Sequence, residues 1–335
     1  VHYDYRPETT MKAIVQDRYG PPDVLRLDEI PVPTAGPGEL LVRVRAAGLD
    51  PGEWALMTGR PYMIRVMGFG LRAPKLRVRG TDVAGRVEAV GEGVTGFRPG
   101  DEVFGLCTGS FAEYACDRQD KFAAKPARLG FAEAAAVPSS GLTALQALRG
   151  YGEVASGQRV LVIGAGGGVG SFAVQIAKAL GAEVTGVDGT AKVDFVRSLG
   201  ADRVIDYTSE DVADGRQVYD VILDMAGNRP LSHLRRALAP KGTLVILGGR
   251  GGRLVGGTDR FLRARMLSPF VSQTLCAPFL DFLGGHQEEL QALAALIEAG
   301  AVTPAVDRTY PLDEVPDAMW HLREGHPRGK VVIAL

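Results

Sequence analysis

The sequence predicts an α/β protein in two parts: a β-rich domain and a doubly wound parallel sheet covered by helices on both faces. Three observations carry that expectation. Residues 11 to about 130 alternate short β-like runs with Gly/Pro turns. From residue 159 onward, fully apolar strands alternate with helical segments. A glycine-dense turn, "GAGGGVG" (164–170), joins the first of those strands to a helix. The 335 residues match about two domains of roughly 100–200 residues each.

The elements follow in order. "VHYDYRPETT" lacks a basic-then-apolar leader pattern, and Met11 opens the first strand-like run, "MKAIVQ". Residues 1–10 therefore read as a cloning remnant or a natural extension. "ELLVRVRAAGL" (39–49), "DVAGRVEAVG" (82–91), "GDEVFGLC" (100–107) and "SFAEYACD" (110–117) are short strands of a barrel or sandwich. Glu39, Arg43 and Arg45 alternate with apolar neighbours, as a half-solvated strand requires. Near residue 131 the pattern turns helical in "FAEAAAVPSSGLTALQALRG", interrupted at Pro138. "RVLVIGA", "EVTGVD", "DRVID", "YDVILDMAG" and "GTLVILGG" are the parallel strands, with helical runs between them, and "FLRARMLSPFVSQTLCA" completes the sheet. "QEELQALAALIEAGAV" is an amphipathic helix, and "GKVVIAL" returns to strand character.

Composition narrows the function classes. The chain is 46% hydrophobic and 23% charged, as soluble globular proteins are. A net charge of −1 gives no pointer to nucleic acid or to an anionic membrane. No apolar run approaches the roughly 18 residues of a membrane span. Cys107, Cys116 and Cys276 are odd in number and lack metal spacing, which suits reduced thiols in a cytoplasmic protein.

The glycine turn is the strongest local signal. Read as A-x-G-x-x-G it uses Ala165, Gly167 and Gly170, with Gly166, Gly168 and Val169 filling the loop. Glycine permits a tight turn and close approach to a pyrophosphate, and the following helix offers free N–H groups to it. A purely structural turn is the competing reading. The second strand ends at Asp188, 21 residues past Gly167, where a carboxylate accepts the adenosine ribose hydroxyls and favours NAD(H). Lys192 instead suits a 2′-phosphate, with Gly189 and Thr190 as a small donor-rich loop and Tyr207 at the end of the next strand. Lys192 also reads as a solvated first-turn residue or a partner of Asp188, and Tyr207 as a strand-edge aromatic.

With those residues placed, the chain resembles the medium-chain dehydrogenase/reductase superfamily, in its zinc-independent quinone oxidoreductase branch. "MKAIV", "PGELLVRVRAAG", "GTDVAGRVEAVGEGVTGFRPGDEVFG", "FAEYA", "AAAVPSSGLTALQAL", "GAGGGVGSFAVQIAKALGAEV", "LGADRVIDY" and "RGKVVIAL" carry the resemblance in order from Met11 to the C-terminus. It implies a GroES-like β-rich catalytic domain, residues 11–130 completed by 281–335, around a Rossmann dinucleotide-binding domain, 131–280. The cofactor would lie in the cleft between them. NADPH-using members carry a lysine and a tyrosine at the positions of Lys192 and Tyr207, whereas NAD-using zinc alcohol dehydrogenases have an aspartate at that of Asp188. Two positions against one favour NADP(H), with NAD(H) admitted by Asp188.

The resemblance also bears on metal and substrate. Where zinc relatives place cysteine, histidine and cysteine, this chain has Asp50, Thr81 in "GTD", and the cysteine-free "AAAVPSSG". No zinc is expected, because a catalytic site needs about three N, S or O ligands. Asp50 falls near the nicotinamide as ribose ligand or proton carrier, with turn capping at "DPGE" as the alternative. Trp54 and Tyr62 are pocket candidates, Tyr62 as a proton donor, each with a plain packing alternative. Thr143 and Leu247, Gly248 and Gly249 fall beside the nicotinamide. The implied reaction is hydride transfer from NAD(P)H to a small quinone or α,β-unsaturated carbonyl. An enoyl-thioester reductase and a non-catalytic nucleotide-binding protein are the alternatives. The resemblance further implies a homodimer, joined through the sheet edge near 269–276.

Overall fold

In the computed structural model, residues 9–215, 217–249, 257–278 and 284–335 are described. The chain folds around two sheets. The first has the spatial order Val306–Pro311, Lys330–Ala334, Glu39–Leu49, Asp82–Val90, Glu102–Leu106 and Phe122–Ala124, with Tyr114–Arg118 also paired to Glu39–Leu49. Alternation is legible within it: Arg43 and Arg45 are exposed, while Val42, Val44 and Ala46 are buried. Thr10–Val15 and Arg26–Pro31 form a separate antiparallel pair.

The tail strand, Lys330–Ala334, runs antiparallel to Glu39–Leu49, with Val331 opposite Leu49 and Ala334 opposite Ala46. The end of the chain thus returns to the sheet that its beginning built. That brings residue 330 into the neighbourhood of residue 50, a juxtaposition on which the site depends.

The second sheet has six parallel strands in the order Arg203–Asp206, Glu183–Asp188, Arg159–Ile163, Tyr219–Asp224, Leu238–Ile246 and Thr274–Cys276. In chain order this is 3-2-1-4-5-6, the dinucleotide-binding arrangement. The winding direction reverses between Arg159–Ile163 and Tyr219–Asp224, which opens a crevice at their carboxyl ends. The centres of these strands are largely apolar, with residues 160–163, 221–223 and 244–246 buried, because helices cover both faces.

The largest buried cluster joins the two sheets. It contains Ala46, Ala84, Phe104 and Val332 of the first sheet, and Val160, Val162, Val221 and Val245 of the second. Helices Pro138–Leu145, Gly168–Ala179 and Gln287–Glu298 supply the layer between them. The expected boundary at 280/281 and most of the N-terminal extension lie outside the described residues.

Candidate active site

The turn that follows Arg159–Ile163 is held from below by Val187, whose carbonyl accepts the amides of Gly164 (2.9 Å) and Ala165 (3.1 Å). Helix Gly168–Ala179 starts at once. A Cβ on Gly170 would stand 2.1 Å from the Gly164 carbonyl oxygen, so only glycine lets the helix lie this close to the strand. A Cβ on Gly167 would meet nothing nearer than that same carbonyl at 3.5 Å, leaving its backbone open to a ligand. Half-buried Val169 packs against the core. The turn fits a dinucleotide pyrophosphate, with the helix N-terminus as the positive pole.

Asp188 and Lys192 do not form the direct ion pair that sequence reading left open. The Asp188 carboxylate accepts the Gly166 amide (2.7 Å) and the Gly189 amide (2.9 Å). Lys192 Nζ donates to the carbonyls of Pro327 (2.7 Å) and Gly166 (3.3 Å). Burial pushes the Lys192 ammonium below its ordinary range, and the Asp188 charge offsets part of that. Thr190 donates to Asp206 (2.6 Å), which stands opposite Asp188 on the neighbouring strand. Tyr207 is exposed beside Gly189, and the Arg229 guanidinium lies 5.9 Å from its ring. Tyr207, Asn228, Arg229 and Pro230 line a depression of about 300 Å³ at this end of the sheet. Arg229 was not anticipated; it follows "DMAGN" immediately, at the end of a parallel strand, and that placement was its only signal. A larger depression of about 580 Å³, lined by Arg43, Arg45 and Phe131, shares no residue with this region.

At the other end of the crevice, the amides of Leu247 and Gly248 donate to the Asp224 carbonyl, both at 3.0 Å. Gly249 packs against Gly257. The Thr143 hydroxyl donates to its own helix, to the Ser139 carbonyl at 2.7 Å.

Beside the turn lies a buried cluster of charges. Lys330 Nζ sits 2.6 Å from Asp50 Oδ2 and 3.1 Å from Asp82 Oδ2. Lys330 and Asp82 are fully buried, whereas the Asp50 side chain retains 15% exposure. Ser140 donates to Asp50 (3.1 Å), and Ser139 donates to Asp82 through both its amide (3.0 Å) and its hydroxyl. Asp50 occupies the N-cap position of helix Pro51–Thr58, yet its side chain makes no capping bond. The turn-capping alternative is therefore set aside, because the carboxylate is committed to the ammonium.

Two carboxylates share one ammonium, and the consequences differ. Burial pushes the Asp50 carboxyl up, but the Lys330 charge and the hydrogen bonds outweigh it and hold Asp50 below the usual range. Burial and then the Asp50 charge push Asp82 up to about 8. Burial alone would lower Lys330, but the two carboxylates raise it instead. The cluster is a cation held by one carboxylate and one carboxyl. Below it, burial likewise raises Glu53, which the Arg79 charge only partly offsets.

The cluster and the phosphate turn are physically joined. The Gly329 amide donates to the Gly166 carbonyl (3.1 Å), and the next residue is Lys330. A Cβ on Gly168 would lie 3.0 Å from Ser140 Oγ and 3.2 Å from Lys330 Cδ. Asp50 and Ser140 thus stand against the start of the nucleotide-binding helix. Lys330 was missed from sequence, although a lysine opening the apolar run "KVVIAL" was the available signal.

Trp54 meets Trp320 edge-on at 5.3 Å and packs beside the buried cluster of Met57, Val315 and Met319. Tyr62 is exposed, with the Arg65 guanidinium 5.0 Å from its ring.

The donor set does not fit zinc. Asp50, at the first ligand position of zinc relatives, already binds an ammonium that would repel a divalent cation. Burial, first of all, raises the Cys107 thiol well above its ordinary range, against formation of a thiolate ligand. Among the described residues, no group of three or more His, Cys, Asp or Glu side chains is placed to hold a metal.

Comparison with known proteins bears on the family and the fold. Residues 36–147 match the alcohol dehydrogenase GroES-like domain family, and residues 199–333 match the zinc-binding dehydrogenase family. The chloroplast envelope quinone oxidoreductase homolog of Arabidopsis thaliana is 32% identical over 91% of this chain and 92% of its own. A chloroplastic NADPH-dependent alkenal/one oxidoreductase from the same plant is 33% identical over 96% of this chain and 79% of its own. The solved quinone oxidoreductase from Coxiella burnetii superposes with a TM-score of 0.84 at 29% identity, over 98% of this chain and 100% of that one.

Proposed function

From a chain that belongs to the medium-chain dehydrogenase/reductase superfamily, in its zinc-independent quinone oxidoreductase branch, we propose an NAD(P)H-dependent oxidoreductase that reduces a quinone or an α,β-unsaturated carbonyl. The observation that carries the reading is the Asp50–Lys330 pair set directly against the start of the nucleotide-binding helix. It supplies a fixed charge arrangement at the reacting end of the cleft without a metal.

Each residue then has a task. The amides of Gly168, Val169 and Gly170, at the start of the helix, take the pyrophosphate, with Gly166 and Gly167 allowing its close approach and Ala165 closing the strand beneath them. Leu247, Gly248, Gly249 and Thr143 border the nicotinamide. Asp50, aimed by Lys330 and Ser140, accepts a hydroxyl of the nicotinamide ribose. The reduced nicotinamide, when bound, supplies the hydride. Reduction of an enone leaves charge on its oxygen, and the exposed Tyr62 hydroxyl is the donor for it.

NADPH is the favoured cofactor. Support comes from the Lys192 ammonium beside the Gly166 carbonyl, from Arg229 at 5.9 Å from the Tyr207 ring, and from Asp188, whose carboxylate is engaged by two backbone amides. Residues 11–130 with 281–335 are the catalytic domain, and 131–280 the cofactor domain. A cytosolic homodimer completes the reading. Exposed Leu262, Met266 and Phe270 lie near the open edge strand Thr274–Cys276, and supply the apolar surface for it.

The test is steady-state oxidation of NADPH and of NADH with a panel of ortho-quinones and enones. Turnover with either acceptor class, faster with NADPH, is expected. Cofactor binding without oxidation across the panel contradicts the enzymatic reading.

A further inference from the structure

We propose that the lobe between Arg60 and Arg79 is a docking surface for an anionic lipid bilayer. The whole chain carries a net charge of −1, yet residues 60–79 hold six basic side chains and no acidic one. Arg79 is buried and Arg77 is paired with Asp17 at 2.7 Å. Arg60, Arg72 and Lys75 remain exposed and have no acidic partner among the described residues.

The apolar side chains of the same lobe point outward. Val66 is 74% exposed, Leu71 69%, Met67 61%, Leu76 47% and Phe69 41%. These are five of the twelve exposed large hydrophobic residues described in the protein, gathered on one segment. A solitary exposed leucine needs no explanation, but five exposed apolar side chains on one short segment that also carries exposed cations do.

The lobe is a built feature. The Tyr19 hydroxyl donates to the carbonyls of Phe69 (2.9 Å) and Gly70 (2.7 Å). Arg65 donates to the Gly59 carbonyl (3.0 Å) and lies 4.3 Å from the Tyr19 ring. The backbone is therefore fastened from beneath while Val66, Met67 and Leu71 stand clear of the protein. Apolar tips flanked by arginine and lysine match the boundary between acyl chains and anionic headgroups. A second copy of this chain is the rival occupant. The concentration of positive charge argues against it, because a self-paired patch would set these cations against one another.

Bilayer docking extends the proposed function without depending on it, since binding is read without turnover. If the acceptor is an apolar quinone, the lobe would bring the enzyme to where that substrate resides.

The full-length protein is mixed with vesicles of phosphatidylcholine alone, or of phosphatidylcholine with phosphatidylglycerol, and binding is read by co-sedimentation at low and high salt. Binding to the mixed vesicles at low salt is expected, weakening as salt rises. Leu71→Asp, and separately Arg72→Glu with Lys75→Glu, are each expected to lower it roughly tenfold or more. These side chains are exposed, so cofactor binding and turnover of a soluble acceptor should be unchanged. Absence of binding at low salt, or binding indifferent to both variants, overturns the proposal. A dimer in solution that Leu71→Asp converts to monomers would assign the patch to a second copy instead.

Discussion

At the scale of single residues, Lys330 sets the electrostatics of the buried charge cluster. Its ammonium bonds Asp50, a residue 280 positions away, and the buried Asp82 beside it. Lys330→Met would leave two buried carboxyl groups without their cation, and is expected to destabilise the fold by about 3–5 kcal/mol in urea unfolding. Asp82 sets the pH dependence. Its folded-state value of about 8 exceeds the ordinary 3.8, so the folded protein binds an extra proton between those limits. Stability from that group is present at low pH and is lost as pH rises through about 8. Unfolding midpoints should therefore fall between about pH 6 and about pH 9, and Asp82→Asn should flatten the fall. At the adenosine end, Lys192→Ala is expected to raise KM for NADPH about tenfold while leaving that for NADH nearly unchanged. Equal effects on both would remove Lys192 from the phosphate site. The sequence made Asp188 and Lys192 legible as rivals. Their division of labour, one on amides and one on carbonyls, depends on loops from distant segments and was not legible.

At the scale of elements, period and punctuation carried far. The apolar strands, the turn at 164–170 and the helix after it are local features, and local pattern located them. The tail run "KVVIAL" read as a strand, but its pairing with Glu39–Leu49 is a long-range fact that periodicity cannot reach. The cluster of Asp50, Asp82 and Lys330 went unread for the same reason. Each residue is ordinary alone, and only that strand pairing brings them together. Trp54, a pocket candidate by sequence position, also meets Trp320 of a helix near the C-terminus, another long-range contact that periodicity does not reach. The edge strand Thr274–Cys276 carries the element-scale prediction. Phe270 is 85% exposed close to that open edge. Phe270→Asp should shift the sedimentation coefficient from dimer to monomer, whereas a wild-type protein that is already monomeric would contradict the proposed assembly.

At the scale of the whole molecule, one segment couples the two sheets. Residues 327–330 bond Lys192 and the Gly166 carbonyl on one side and deliver Lys330 to Asp50 on the other. The nucleotide turn and the charge cluster are thus positioned by the same few residues of backbone. A protein ammonium binds Asp50, the residue at the first zinc-ligand position by resemblance, and we propose that the chain works as a reductase without a metal. The most direct test is NADPH oxidation with a quinone or enone acceptor, before and after exhaustive treatment with a zinc chelator, with metal content measured in parallel. Full turnover is expected from protein holding far less than one zinc per chain, unchanged by the chelator. Loss of turnover on chelation, restored by adding zinc, would contradict it.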